Sequence, residues 1–132
     1  MKTTYEIMIG SDHVLVVCNG EFDGRDAREI FRAAFAAAAK HRLMKLLIDA
    51  RGVTGKPNTM ERFDMGENLS RLYAERAHPG AMLIALVGRE PLADPHRFGE
   101  LVARNRGFPG KFTTDIAEAR EYLGLTGSDS SD

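Results

Sequence analysis

The sequence predicts an α/β fold built on a mostly parallel sheet with one antiparallel N-terminal strand, in the order β-β-α-β-α-β-α-β-α. Three observations predict it. Short continuous apolar runs such as VLVVC, LLI and AMLIALV read as strands covered on both faces. Longer segments between them repeat apolar residues at helical spacing. The two kinds alternate along most of the chain, which implies parallel strands joined by right-handed crossovers.

Tyr5 to Ile9 (YEIMI) is a short alternating strand, and Ser11-Asp12 is a turn signal. His13 to Cys18 (HVLVVC) is the second strand. The short connection makes the pair an antiparallel hairpin. Asn19-Gly20 interrupts the run, with Glu21-Phe22 as an extension. Asp23 then caps a helix by accepting from first-turn amides, and Asp26 adds negative charge there. Ala27, Ile30, Phe31, Ala34, Phe35 and Ala38 form its apolar stripe. Lys40, His41 and Arg42 close it with the charge that a helix C-terminus favours.

Leu43 to Ala50 is the central strand, with Asp49 and Arg51 at its carboxyl end. Gly52 to Pro57 is a glycine- and proline-bearing loop. Asn58 is the next N-cap, with Glu61 three residues on as its capping-box partner. The following helix carries Met65, Leu69, Leu72 and Tyr73 on one face and runs to about His78, before Pro79-Gly80.

Ala81 to Val87 is another apolar strand, followed by a loop from Gly88 to Ala93. Asp94-Pro95 starts a helix, with Phe98, Leu101 and Val102 facing inward and Gly107 ending it. Lys111 to Thr113 is a short strand. Asp115 caps the last helix with Glu118 as box partner; Ile116, Ala119, Tyr122 and Leu123 face inward and Gly124 terminates it. The domain therefore spans residues 1–125. The small, polar, acidic tail at 126–132 is expected to be disordered.

A chain of 132 residues suits one domain that can bury a core without metal or disulfide. Eighteen basic residues stand against 19 acidic ones, a balance that argues against a dedicated nucleic-acid surface. No apolar run reaches the roughly 20 residues of a membrane span, and the N-terminus lacks a signal-like apolar region. A cytoplasmic location is the expectation. Cys18 is the single cysteine. It reads as a small buried hydrophobe, with a reactive thiol as the alternative. His13, His41, His78 and His96 are scattered without metal-ligand spacing. GVTGKP is not a phosphate-binding loop, no nucleophile elbow occurs, and no cofactor is implied.

In open α/β sheets, ligands meet the carboxyl ends of strands. That edge collects Asp49, Arg51, Gly52, Thr54, Lys56 and Thr59, with Gly88 and Arg89 from the next strand. It reads either as an anion or partner site or as a solvated loop whose arginine pairs with Asp49. Thr59 is the candidate phosphoacceptor, since phosphate is favoured in a first helical turn; the simpler reading is that it starts the helix. Met60, Met65 and Tyr73 form either core or a groove for a lipid-like ligand or partner helix. Arg104-Asn105-Arg106-Gly107 is a cationic helix end or a binding cluster.

The element order, together with LLIDARGV, ERFDMGENL, LVARNRG and FTTDIAEAREYL, resembles the STAS domain, in particular its SpoIIAA-like branch of small stand-alone bacterial proteins. The resemblance runs from Tyr5 to about Gly124. It implies a compact domain without enzymatic activity of its own. Members act as partner-binding switches, as modules of larger regulators and transporters, or as proteins tied to membrane lipids or small apolar ligands. In the switches, a partner kinase phosphorylates a serine at the start of the helix after the central strand. Here the segment reads ARGVTGKPNTM, whose hydroxyls are Thr54 and Thr59.

The expectation is a non-enzymatic STAS-like regulatory or protein-interaction module acting through the loop and helix after the central strand, with a protein partner or self-association. The alternative is a small apolar-ligand or lipid-binding module with a pocket beside the second helix. An enzyme using Asp49 or the nearby arginines is a third class. The candidate contact residues are Asp49, Arg51, Thr54, Thr59, Arg62, Met65 and Leu69.

Overall fold

A computed structural model describes residues 1–75, 82–93 and 110–125. Its elements, in chain order, are β1 (Thr3–Ile9), β2 (Val14–Glu21), α1 (Gly24–His41), β3 (Lys45–Thr54), α2 (Thr59–Ala74), β4 (Leu83–Gly88), β5 (Lys111–Thr113) and α3 (Ile116–Leu123). The helix expected from Asp94 to Gly107, the expected end of the second helix at His78 to Gly80 and the tail from Thr126 lie outside the described residues.

The five strands lie side by side in the order β1-β2-β3-β4-β5. β1 pairs antiparallel with β2, and β2 through β5 run parallel. The alternation of side chains along each strand sorts the core into two layers. Val14, Val16, Cys18, Leu46, Ile48 and Ile84 pack with the helices on one face. Leu47, Ala85 and Val87 turn to the other, where Ala119 and Leu123 of α3 cover them.

Helix α1 follows the pattern in the sequence. Asp23 accepts from the amides of Arg25 and Asp26, and all six stripe residues from Ala27 to Ala38 are buried. Asp26 has a second task. Its Oδ2 accepts from the amides of Lys2 and Thr3 at 2.8 and 3.0 Å, tying the start of β1 to the start of the helix. Arg42 ends the helix in the left-handed conformation.

The central strand differs from its expected bounds. It starts at Lys45 and runs four residues past Ala50, through the first part of the expected loop. β2 carries it there: Asn19, Gly20 and Glu21 pair with Gly52, Val53 and Thr54 after an irregularity in register. Gly52 allows the approach, because a Cβ at that position would sit 2.0 Å from Asn19 Oδ1. Gly55, at φ +113, then ends the strand with a backbone conformation that disfavours side chains.

Helix α2 has the expected capping box. Glu61 N donates to Asn58 Oδ1 at 2.8 Å, and Asn58 N donates to Glu61 Oε1 at 2.9 Å. Its buried stripe is not the expected one. Arg62, Gly66, Leu69 and Tyr73 are buried, while Met65 and Leu72 are only half-buried. In α3 the expected box is replaced. Asp115 caps by accepting from Ala117 N, but Glu118 instead takes the Thr113 hydroxyl and lies 3.8 Å from Lys111 Nζ. Tyr122 is exposed rather than inward.

Candidate functional site

The carboxyl end of β3 separates two sets of residues that look like one cluster in the sequence. Ile48 and Ala50 face α1 and α2, whereas Leu47 belongs to the α3 layer. Asp49 shares the pleat direction of Leu47, so it points away from α2. The candidate contact residues therefore fall on opposite sides of the sheet.

On the α3 side, Asp49 is buried and held by Arg51. Arg51 Nε donates to Asp49 Oδ1 at 2.9 Å and Nη2 to Oδ2 at 2.8 Å, while Arg51 N donates to Oδ1 at 3.1 Å. This is a fork-to-fork pair of the stronger kind. Burial works against the charged carboxylate. The Arg51 hydrogen bonds and charge outweigh it and, with Arg89, hold the carboxyl below the ordinary aspartate range. The pair ties the end of the strand together, with Arg51 on Asp49 as the pairing expected for this loop.

On the α2 side lies a cavity of about 440 Å³. Its walls include Cys18, Ile30, Phe31, Ile48, Met65 and Leu69, with Leu86 and Phe112 from the far strands. Leu69 is 1% exposed and serves the core and this cavity; no surface is left on it for a protein partner. Met65 is half-buried in the wall. Phe63 is not part of the lining. Burial, reinforced by the charge of Asp49, pushes the Cys18 thiol up to about 12, so it stays protonated and inert at neutral pH.

Arg62 is the residue whose place the sequence hides. Amphipathic reading puts an arginine on the solvent face, yet this one is nine-tenths buried. Its Nη1 donates to Leu92 O at 2.8 Å and its Nη2 to Pro91 O at 2.7 Å. It bridges α2 to the loop after β4 and lines the cavity. The signal that could have found it is spacing, since Arg62 stands one turn before Gly66 on the stripe through Leu69 and Tyr73.

Between the two sides runs the exposed turn from β3 into α2. Thr54, Lys56, Asn58, Thr59 and Met60 are all exposed there, and Pro57 is buried beneath them. Thr54 donates its hydroxyl to Gly20 O at 3.3 Å. Thr59 is the first residue of α2, directly after the Asn58 cap. Met60 is 66% exposed.

At the level of sequence, no family model matches the chain, and no curated protein matches it closely enough to count as a relative. The fold does have a solved counterpart. The crystal structure of an anti-sigma factor antagonist from Mycobacterium paratuberculosis superposes with a TM-score of 0.62, covering 92% of this chain and 94% of that one. The chain has a STAS-like fold. At 18% identity the likeness is one of architecture. It agrees with the parallel sheet, the single antiparallel pair and the helix order described above. No described helix is long and apolar enough to cross a membrane. Among the described residues, no group of three His, Cys, Asp or Glu side chains gathers as a metal site.

Proposed function

We propose that this protein is a non-enzymatic regulatory module that binds a protein partner through the turn after β3 and the first turn of α2. The observation that carries the reading is the STAS-like architecture it has in common with an anti-sigma factor antagonist. The chemistry of the turn supports it. Lys56, Thr59 and Met60 stand together in the open, a cation, a hydroxyl and an apolar knob within five residues. The capping box holds the backbone beneath them, so a partner meets a preorganised surface and little ordering entropy is lost on binding. Thr59 is the phosphoacceptor in this scheme. It is exposed, and a phosphate there would face the free amides and positive end of α2.

The test is affinity capture from the source organism with the full chain, its Met60→Asp variant and its Thr59→Asp variant. Proteins held by the native chain and lost by either variant support the reading. Identical captures by all three oppose it.

The cavity between α1, α2 and the sheet supports a second reading, a module for a small apolar ligand. Its volume of about 440 Å³ lies within the range of small-molecule sites, and Met65 and Leu69 of α2 stand in its wall.

A further inference from the structure

We infer that the cavity beside α2 takes an amphipathic monocarboxylate, an apolar tail ending in one carboxylate, with Arg62 as the group that holds the head. The inference rests on the second reading above and names its ligand class.

The first observation is the charge of Arg62. The residue is nine-tenths buried, and among the described residues no carboxylate lies within ion-pair distance of its guanidinium. Its partners are two neutral carbonyls, of Pro91 and Leu92. A guanidinium has more N–H donors than these two contacts use. A buried cation without an anion is costly and calls for a counter-charge.

The second observation is the wall around it. Leu69, Ile30, Phe31, Ile48, Leu86 and Phe112 present hydrocarbon to the same space. The thiol of Cys18 is neutral there. An apolar tail gains by leaving water for such a surface.

The third observation selects the head group. Arg62 is the one cation among the described lining residues. A carboxylate brings one charge and the planar geometry that a guanidinium fork accepts in parallel bonds. A phosphate monoester would bring nearly two charges to that one cation. Two acidic side chains also reach the lining. Glu118 is engaged by Thr113 and Lys111, and Glu90 is exposed at the rim. The rim acid disfavours a second negative charge on the ligand, which again favours the singly charged head.

The test uses the full chain and two probes of equal tail length, decanoate and decanol, titrated by calorimetry below their aggregation concentrations. Decanoate is expected to bind one per chain and roughly tenfold or more tighter than decanol. Arg62→Gln is expected to erase that preference. Met65→Trp, which narrows the cavity and leaves Arg62 in place, is expected to weaken the binding of both probes. Equal affinity of the native chain for the two probes overturns the carboxylate assignment and leaves the apolar-ligand reading standing. Binding of neither probe overturns both. Undiminished binding to Met65→Trp places the probes outside the cavity and also overturns the inference. The comparison on the native chain decides the matter even if Arg62→Gln does not fold.

Discussion

Arg51 closes on Asp49 from two residues further along the same strand, with Nε on one carboxylate oxygen at 2.9 Å and Nη2 on the other at 2.8 Å. The pair locks the carboxyl end of β3 just before the turn that leads into α2. Its side chains point away from α2, and neither residue lines the cavity.

The Asp49 carboxyl titrates below its ordinary value, so the stability it contributes is complete above that value and is lost as pH falls through the lower, folded one. An ordinary aspartate titrates at about 3.9. Urea midpoints of the native chain should therefore fall more steeply below about pH 4 than those of Asp49→Asn. Parallel acid profiles would mean that the pair does not stabilise the fold.

Cys18 should resist thiol reagents in the native state. It is 3% exposed and its thiol is pushed up to about 12. Labelling with an aromatic disulfide at neutral pH should be slow in buffer and complete in denaturant. Rapid labelling of the folded chain would put the thiol at a more open, more acidic place.

Asn58→Ala removes one half of the capping box that starts α2. The loss should be about 1 kcal/mol, seen as a fall in Tm of roughly 3–5 °C for a chain of this size. An unchanged Tm would show that tertiary packing alone fixes the helix start. The same variant should weaken partner capture, because the turn bearing Thr59 and Met60 loses its preorganised backbone.

Much of the fold was legible because local and tertiary signals agree. The α1 stripe is buried residue for residue, and the Asn58–Glu61 box is in place. Misreadings came where tertiary context overrode local pattern. Gly52 to Thr54 looks like loop, but pairing with β2 makes it strand, and the missing Cβ of Gly52 is what lets Asn19 approach. Glu118 has capping-box spacing, but Thr113 and Lys111 of the neighbouring strand claim its carboxylate. The candidate site was legible in part. Strand alternation could have separated Asp49 from Met65 and Leu69. Spacing could have put Arg62 on the buried stripe with Gly66, Leu69 and Tyr73, but not its partners, which are carbonyls of a loop some thirty residues away.

The most direct test of the central claim is quantitative affinity capture with the native chain, Met60→Asp and, as a control on a distant exposed helix face, Arg32→Ala. All three should have the same far-ultraviolet circular dichroism, since both side chains are exposed. The account predicts that a protein held by the native chain is retained by Arg32→Ala and lost by Met60→Asp. Equal retention by both variants, or loss with Arg32→Ala alone, would contradict it.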